Sequence, residues 1–127
     1  MTAIVFTVPG KPVPKQRARK GPNGWYTPTE TRRYERAVGF HATRARQVHT
    51  ATGGEWPMGR RYEVEVLCVW ADRRRRDIDN VLKSVLDGLN GVLFADDSQV
   101  VRAIVSRSEP ERATRTVVRV RVLEPGE

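Results

Sequence analysis

At 127 residues the chain is long enough for one compact domain with its own core and too short for two. Its 23 Lys and Arg against 15 Asp and Glu give a formal charge of +8, which points to a polyanionic partner, with a soluble protein that is merely basic as the plainer alternative. The single cysteine, Cys68, excludes an internal disulfide and a cysteine-based zinc site and fits a reducing cytoplasm; no run of roughly 20 apolar residues or signal-peptide pattern argues for a membrane span or export.

Residues 2–8 alternate, with Ile4, Phe6 and Val8 on one face, and Pro9-Gly10 breaks the run, which predicts a half-buried strand. The next ten residues carry Lys11, Lys15, Arg17, Arg19 and Lys20 with Pro12 and Pro14, and no acid precedes Glu30. Prolines stiffen such a segment and remove backbone donors, so it is expected to be an ordered arm laid along phosphates rather than a strand. Thr27-Pro28-Thr29-Glu30 predicts a helix start, with Thr27 as N-cap and Pro28 in the first position. The helix is expected to reach about His49, turning Tyr34, Ala37, Val38, His41, Ala45 and Val48 to the core and Arg32, Arg36 and Arg46 away from it. Trp25 and Tyr26 can stack on unpaired bases at a branch point. Packing against this helix is the reading adopted for them, since Tyr26 precedes the cap and suits a hydrophobic staple.

After a loop at Gly53-Gly54 and Pro57, residues 61–71 predict a strand that alternates around Glu63 and Glu65 and then becomes apolar on both faces, as a central strand does. A second helix begins near Ile78, because Ile78, Val81, Leu82, Val85, Leu86 and Leu89 form an apolar stripe ending at Asn90-Gly91. Residues 100–107 and 116–123 predict two strands joined as a hairpin through Glu109-Pro110-Glu111. The expected fold is a single α+β domain in β-α-β-α-β-β order, with a mixed sheet and two main helices.

Between Asp77 and Asp97 stand five carboxylates, Asp77, Asp79, Asp87, Asp96 and Asp97, and one basic residue, Lys83. That window carries −4 and leaves +12 on the rest of the chain. Carboxylates inside a phosphate-holding surface only repel the ligand, unless a divalent cation stands between them. Phosphodiester cleavage needs a hydroxide delivered in line and the growing negative charge neutralised, and a hard cation on aspartate oxygens does both. Asp77 precedes the helix and Asp79 lies in its first turn, so both can reach one ion. Asp97 joins them only if the loop after Phe94 folds back across the same end of the sheet. Lys83, on the stripe of Asp79, can steady charge at the scissile phosphate, whereas Asp87 lies two turns on and reads as surface.

Each residue has a structural alternative. Asp77 can be a helix N-cap, Asp96-Asp97 a solvated turn, and Asp79, Lys83 and Asp87 an i,i+4 ion-pair ladder. Arg73, Arg74, Arg75 and Arg76, directly before Asp77, can contact phosphates or form salt bridges with Glu63 or Glu65.

Three segments together resemble the RusA-like Holliday junction resolvases across nearly the whole chain. They are the stretch from Phe6 to Arg19 with its Val8-Pro9-Gly10-Lys11-Pro12 core, Tyr26-Thr27-Pro28, and the D-x-D-N-x-x-K pattern Asp77-Ile78-Asp79-Asn80-Val81-Leu82-Lys83. Asp87-Gly88-Leu89-Asn90 and Asp96-Asp97-Ser98-Gln99-Val100 extend the likeness. The resemblance implies a homodimeric, Mg²⁺- or Mn²⁺-dependent endodeoxyribonuclease that resolves four-way junctions by paired nicks. Asp77, Asp79 and Asp97 match its metal-binding catalytic carboxylates, with Asp96 as the other member of that pair, and Lys83 matches its functional lysine. Two symmetric cuts from a chain with one acidic island also call for a two-fold dimer, for which Val92-Leu93-Phe94 is a candidate surface, with core burial as the alternative. Lys11, Lys15, Arg17, Arg19, Lys20 and the four arginines from 73 to 76 are the expected DNA contacts. The competing expectation is a non-catalytic branched-DNA or RNA-binding module of the same fold. A metal nuclease for flaps is a third, and a histidine ribonuclease is disfavoured because neither His41 nor His49 has a partner nearby in sequence.

Overall fold

The structure, a computed structural model, describes residues 2–127. Its main sheet has four strands in the order β1 (Ala3–Pro9), β6 (Arg115–Val122), β4 (Tyr62–Val69), β5 (Val100–Arg107). The mixed α+β architecture with two helices is as expected: β4 and β5 are parallel, while β6 runs antiparallel between β1 and β4. Register follows the alternation of the sequence, since Ile4, Val120 and Val64 align across three strands, as do Phe6, Val118 and Val66. All six are buried beneath helices α1 (Thr29–Ala51) and α2 (Ile78–Leu89), so one sheet face and two helix faces enclose one core. The other sheet face carries Glu63, buried among Arg102, Arg119 and Arg121 at 3.4 to 3.8 Å.

The expected hairpin of the last two strands does not form. Strand β6 instead inserts between β1 and β4, where the register sets its inward Val118, Val120 and Val122 against Val66, Val64 and Tyr62 of β4 and carries the buried apolar face on to Phe6 and Ile4 of β1. Strand β5, largely exposed, takes the edge beyond β4. The basic arm also contains two strands the sequence reading omitted, β2 (Arg19–Gly21) and β3 (Gly24–Tyr26), which pair only with each other.

Pro28, not Thr27, flanks α1: at φ −54° and ψ 144° it stays extended, and its carbonyl accepts from the Arg32 amide at 3.1 Å to close the first turn. The buried face of α1 is Thr31, Tyr34, Val38 and Ala42, with the Tyr34 hydroxyl bonded to Thr116 on β6. Val48, expected in the core, is 60% exposed because the inward face of the helix runs from Val38 and Ala42 through Ala45 to His49, whose ring meets Trp56 edge-on at 6.0 Å, and leaves Val48 beside that face. Arg46, expected to point away, instead donates to the Val92 carbonyl at 2.8 Å. Leu93 and Phe94 are fully buried and Val92 half-buried, so that segment is core and not a dimer surface. Cys68 is buried and its thiol is pushed up to about 12 by desolvation.

Candidate active site

Beyond the C-terminal end of β4 the chain crosses 70–77 without regular structure, yet the loop is firmly held. Asp72 accepts from the Arg74 amide at 3.0 Å and from the Arg76 guanidinium at 2.5 and 3.3 Å. Arg107, at the end of β5, donates to the carbonyls of Asp72 at 2.7 Å and Arg74 at 2.6 Å. The guanidiniums of Arg76 and Arg107 stand over the buried Trp70 indole at 4.9 and 4.8 Å. Among the described residues the arginines from 73 to 76 do not make the alternative salt bridges to Glu63 or Glu65. Arg76 and Arg74 pair with Asp72, Arg73 pairs with Glu109 at 2.8 Å, and Arg75 is exposed with no ion pair among the described residues.

Asp77 caps α2. Its Oδ1 accepts from the amides of Asp79 (3.1 Å) and Asn80 (3.4 Å), and its Oδ2 from the Asn80 side-chain amide (2.7 Å). Asp79, in the first turn, and Lys83, one turn on, are exposed, and no hydrogen bond or ion pair engages either side chain among the described residues. The alternative ladder from Asp79 through Lys83 to Asp87 does not form among the described residues, and Asp87 bonds Lys15 instead. Asp77 and Asp79 line an open pocket of about 430 Å³ with Arg75, Arg76 and Ile78. Two exposed carboxylates beside cationic side chains suit a hard cation that also takes phosphate oxygens, since Mg²⁺ commonly binds through one or two carboxylates and its substrate.

Asp97 lies elsewhere. Strand β5 begins opposite Tyr62, the start of β4, whereas Asp77 follows the end of β4. The 12 residues of α2 therefore separate them by about 18 Å. The loop after Phe94 does not fold back across the end that holds Asp77. Gln99 fixes it instead, accepting from the amides of Ala95 and Asp96 and donating to the carbonyls of Met58 and Arg60, each at about 3 Å. Asp96 caps the short 3-10 turn 97–99, and its hydrogen bond from Ser98 holds its carboxyl below the usual carboxylate range. Asp97 is exposed with no such duty. Among the described residues no three His, Cys, Asp or Glu side chains gather closely enough to hold a metal ion.

In the basic arm, Lys11, Arg17, Arg19 and Lys20 are exposed and unpaired among the described residues. Lys15 is not available to phosphates in the same way. Its ammonium is bound by Asp87 and by Glu35 at 3.3 Å, the Asp87 hydrogen bond raising its pKa, and its amide donates to the Asn80 carbonyl at 2.8 Å. Trp25 and Tyr26 do not pack on α1; they sit on the β2–β3 hairpin, 73% and 47% exposed. The signal for that hairpin was present in the sequence as Pro22-Asn23-Gly24, a turn pair followed by a glycine, and Gly24 adopts φ +101° where the chain enters β3.

No helix among the described residues is long and apolar enough to cross a membrane. No curated protein matches the chain. The family described as Endodeoxyribonuclease RusA matches residues 9–121, a span that takes in the basic arm, both helices, the acidic island and most of the sheet. The chain thus belongs to the RusA endodeoxyribonuclease family, nucleases whose general activity is Holliday junction resolution.

Proposed function

We propose that the protein is a divalent-metal-dependent endonuclease that resolves four-way DNA junctions by paired nicks, acting as a homodimer. The observation that carries this is the pocket at the start of α2, where Asp77 and Asp79 meet Arg75 and Arg76. Asp77 and Asp79 would hold a Mg²⁺ or Mn²⁺ ion, which when bound would activate the attacking water and offset the charge growing on the phosphate. The chain's own residues do the rest. Asp77 and Asp79 hold the cation side of the site, Lys83 steadies the scissile phosphate, and Arg73, Arg74 and Arg75 with Lys11, Arg17, Arg19 and Lys20 position the arms.

The distance to Asp97 supports a site shared between protomers. An antiparallel pairing of two β5 edges about a two-fold axis sets the start of one strand against the end of the other. That arrangement carries Asp97 of the partner subunit towards the end of the sheet from which Asp77 and Asp79 project. One such pair of protomers contains two sites, as paired nicking requires.

Nicking of a synthetic four-way junction, with and without Mg²⁺, tests this. Asp77→Asn is the informative variant because asparagine caps a helix as well as aspartate does, so lost cleavage is not lost folding. Asp77→Asn and Asp97→Asn are each expected to abolish cutting while binding persists, and Lys83→Met to slow it about a hundredfold. Refolding a mixture of Asp77→Asn and Asp97→Asn chains restores single nicks if the site is shared and none if it lies within one chain. The competing reading, a branched-nucleic-acid binder without catalysis, draws on the capping duties of Asp77 and Asp96. It requires that no variant changes a cleavage rate already at background.

A further inference from the structure

The hairpin that carries Trp25 has no counterpart in the proposed chemistry. Its strands pair Arg19 with Tyr26 and Lys20 with Trp25, and they join no other sheet. Successive side chains of a strand take opposite faces, so Trp25 shares its face with Lys20 and Tyr26 shares the other with Arg19. The Tyr26 ring lies over Gly21, where a Cβ would come within 3.1 Å of it, so glycine there makes room for the ring. Trp25 gains no such support. The other tryptophans, Trp56 and Trp70, are 7% and 2% exposed and bond backbone carbonyls, whereas Trp25 leaves 73% of its surface to solvent. The energetics of the fold give no reason to hold so large an aromatic there.

The base of the hairpin is fixed beside the candidate site. The Lys15 amide binds the Asn80 carbonyl in the first turn of α2, the Gln16 amide binds the Thr31 hydroxyl at 3.2 Å, and Trp70 donates to the Pro12 carbonyl at 3.2 Å. From Lys15 to Arg19 the chain spans at most about 14 Å. The hairpin thus projects from an anchored stem close to Asp79, with Lys20 on the face of the indole, Arg19 on the opposite face and Arg17 on the chain leading in, all three exposed and unpaired among the described residues. A free aromatic face set in a cationic rim is the arrangement that takes nucleobases, the ring stacking on the base and the cations meeting the flanking phosphates.

We propose that the β2–β3 hairpin is a base-stacking wedge, with Trp25 receiving an unpaired base at the branch point while Arg17, Arg19 and Lys20 grip the adjoining backbone. Charge complementarity selects a nucleic acid over a protein partner, and only the choice of branched DNA rests on the reading above. Intrinsic fluorescence provides the test, since Trp25 is the one exposed tryptophan. In EDTA, where no cutting confuses the reading, a four-way junction is titrated against the full chain, and a linear duplex of the same sequence serves as control. The junction is expected to quench the emission. Trp25→Ala should abolish the quench and weaken junction binding about tenfold or more while changing duplex binding less than about threefold, and Trp25→Phe should retain most of the affinity. Thermal melts of both variants that match the parent confirm that the fold is intact. Parent-like junction affinity in Trp25→Ala, or an unquenched parent bound to junction, overturns the proposal and leaves the hairpin to a protein partner. A parent that quenches on the junction but never nicks it would sink the nuclease reading and leave the wedge standing.

Discussion

Asp72 shows how much of this site depends on one carboxylate that no motif contains. Hydrogen bonds from the Arg76 guanidinium and the Arg74 amide hold its carboxyl well below the ordinary 3.8. A group depressed on folding contributes stability that is fully present above its unfolded value and is lost as pH falls through its folded one. Asp72→Asn is therefore expected to lower the urea midpoint at pH 6, and the gap from the parent should narrow as pH drops below 3.8. A gap that stays constant with pH would mean that Asp72 acts through shape and not charge. Residues tied to a local period were legible in the sequence. Asp77 stands at the helix start because the apolar stripe from Ile78 to Leu89 fixes where α2 begins. The duty of Lys15 was not legible, since its partners Asp87 and Glu35 lie 72 and 20 residues away and no periodicity links them.

Among the elements, the two helices meet at Gly39 and Gly88, and the second of these is tight. A Cβ on Gly88 would stand 2.7 Å from the Glu35 carbonyl oxygen and 2.8 Å from the Val38 Cβ. Replacing a glycine inside a helix with alanine ordinarily stabilises by about 1 kcal/mol through helix propensity. Here overpacking reverses the sign, and Gly88→Ala should destabilise the protein by about 1–3 kcal/mol in equilibrium denaturation. A variant as stable as the parent would show that α1 and α2 can part without loss. Strand and helix identities were readable because each has its own period, 2 or 3.6, whereas pairing is not a local property. The sequence of β6 gives its inward face, Val118, Val120 and Val122, but not which neighbours cover its edges. Chain adjacency therefore suggested a hairpin with β5 where the sheet interposes β4. The same limit hid the separation of Asp97 from Asp77, which follows from β5 being parallel to β4.

For the whole molecule, charge is the property that sequence conveys best. The excess of +8 survives folding as exposed cations on the arm and on the loop before α2. Association with DNA should weaken steeply with salt, and Arg75, exposed and unpaired among the described residues, should contribute to that dependence. Arg75→Ala is expected to reduce the slope of log affinity against log salt by about one, for junction and duplex alike, because phosphate contacts read no sequence. A loss confined to the junction would instead assign Arg75 to the branch point. The arginine loop itself is not a loose tassel of charge. With Trp70 beneath Arg76 and Arg107, and with the carbonyls of Asp72 and Arg74 bound to Arg107, it is stiff before any nucleic acid arrives. A rigid cationic ledge surrenders little chain freedom on docking, so more of each phosphate contact is retained as grip, and the strand it holds inherits the ledge's fixed bearing.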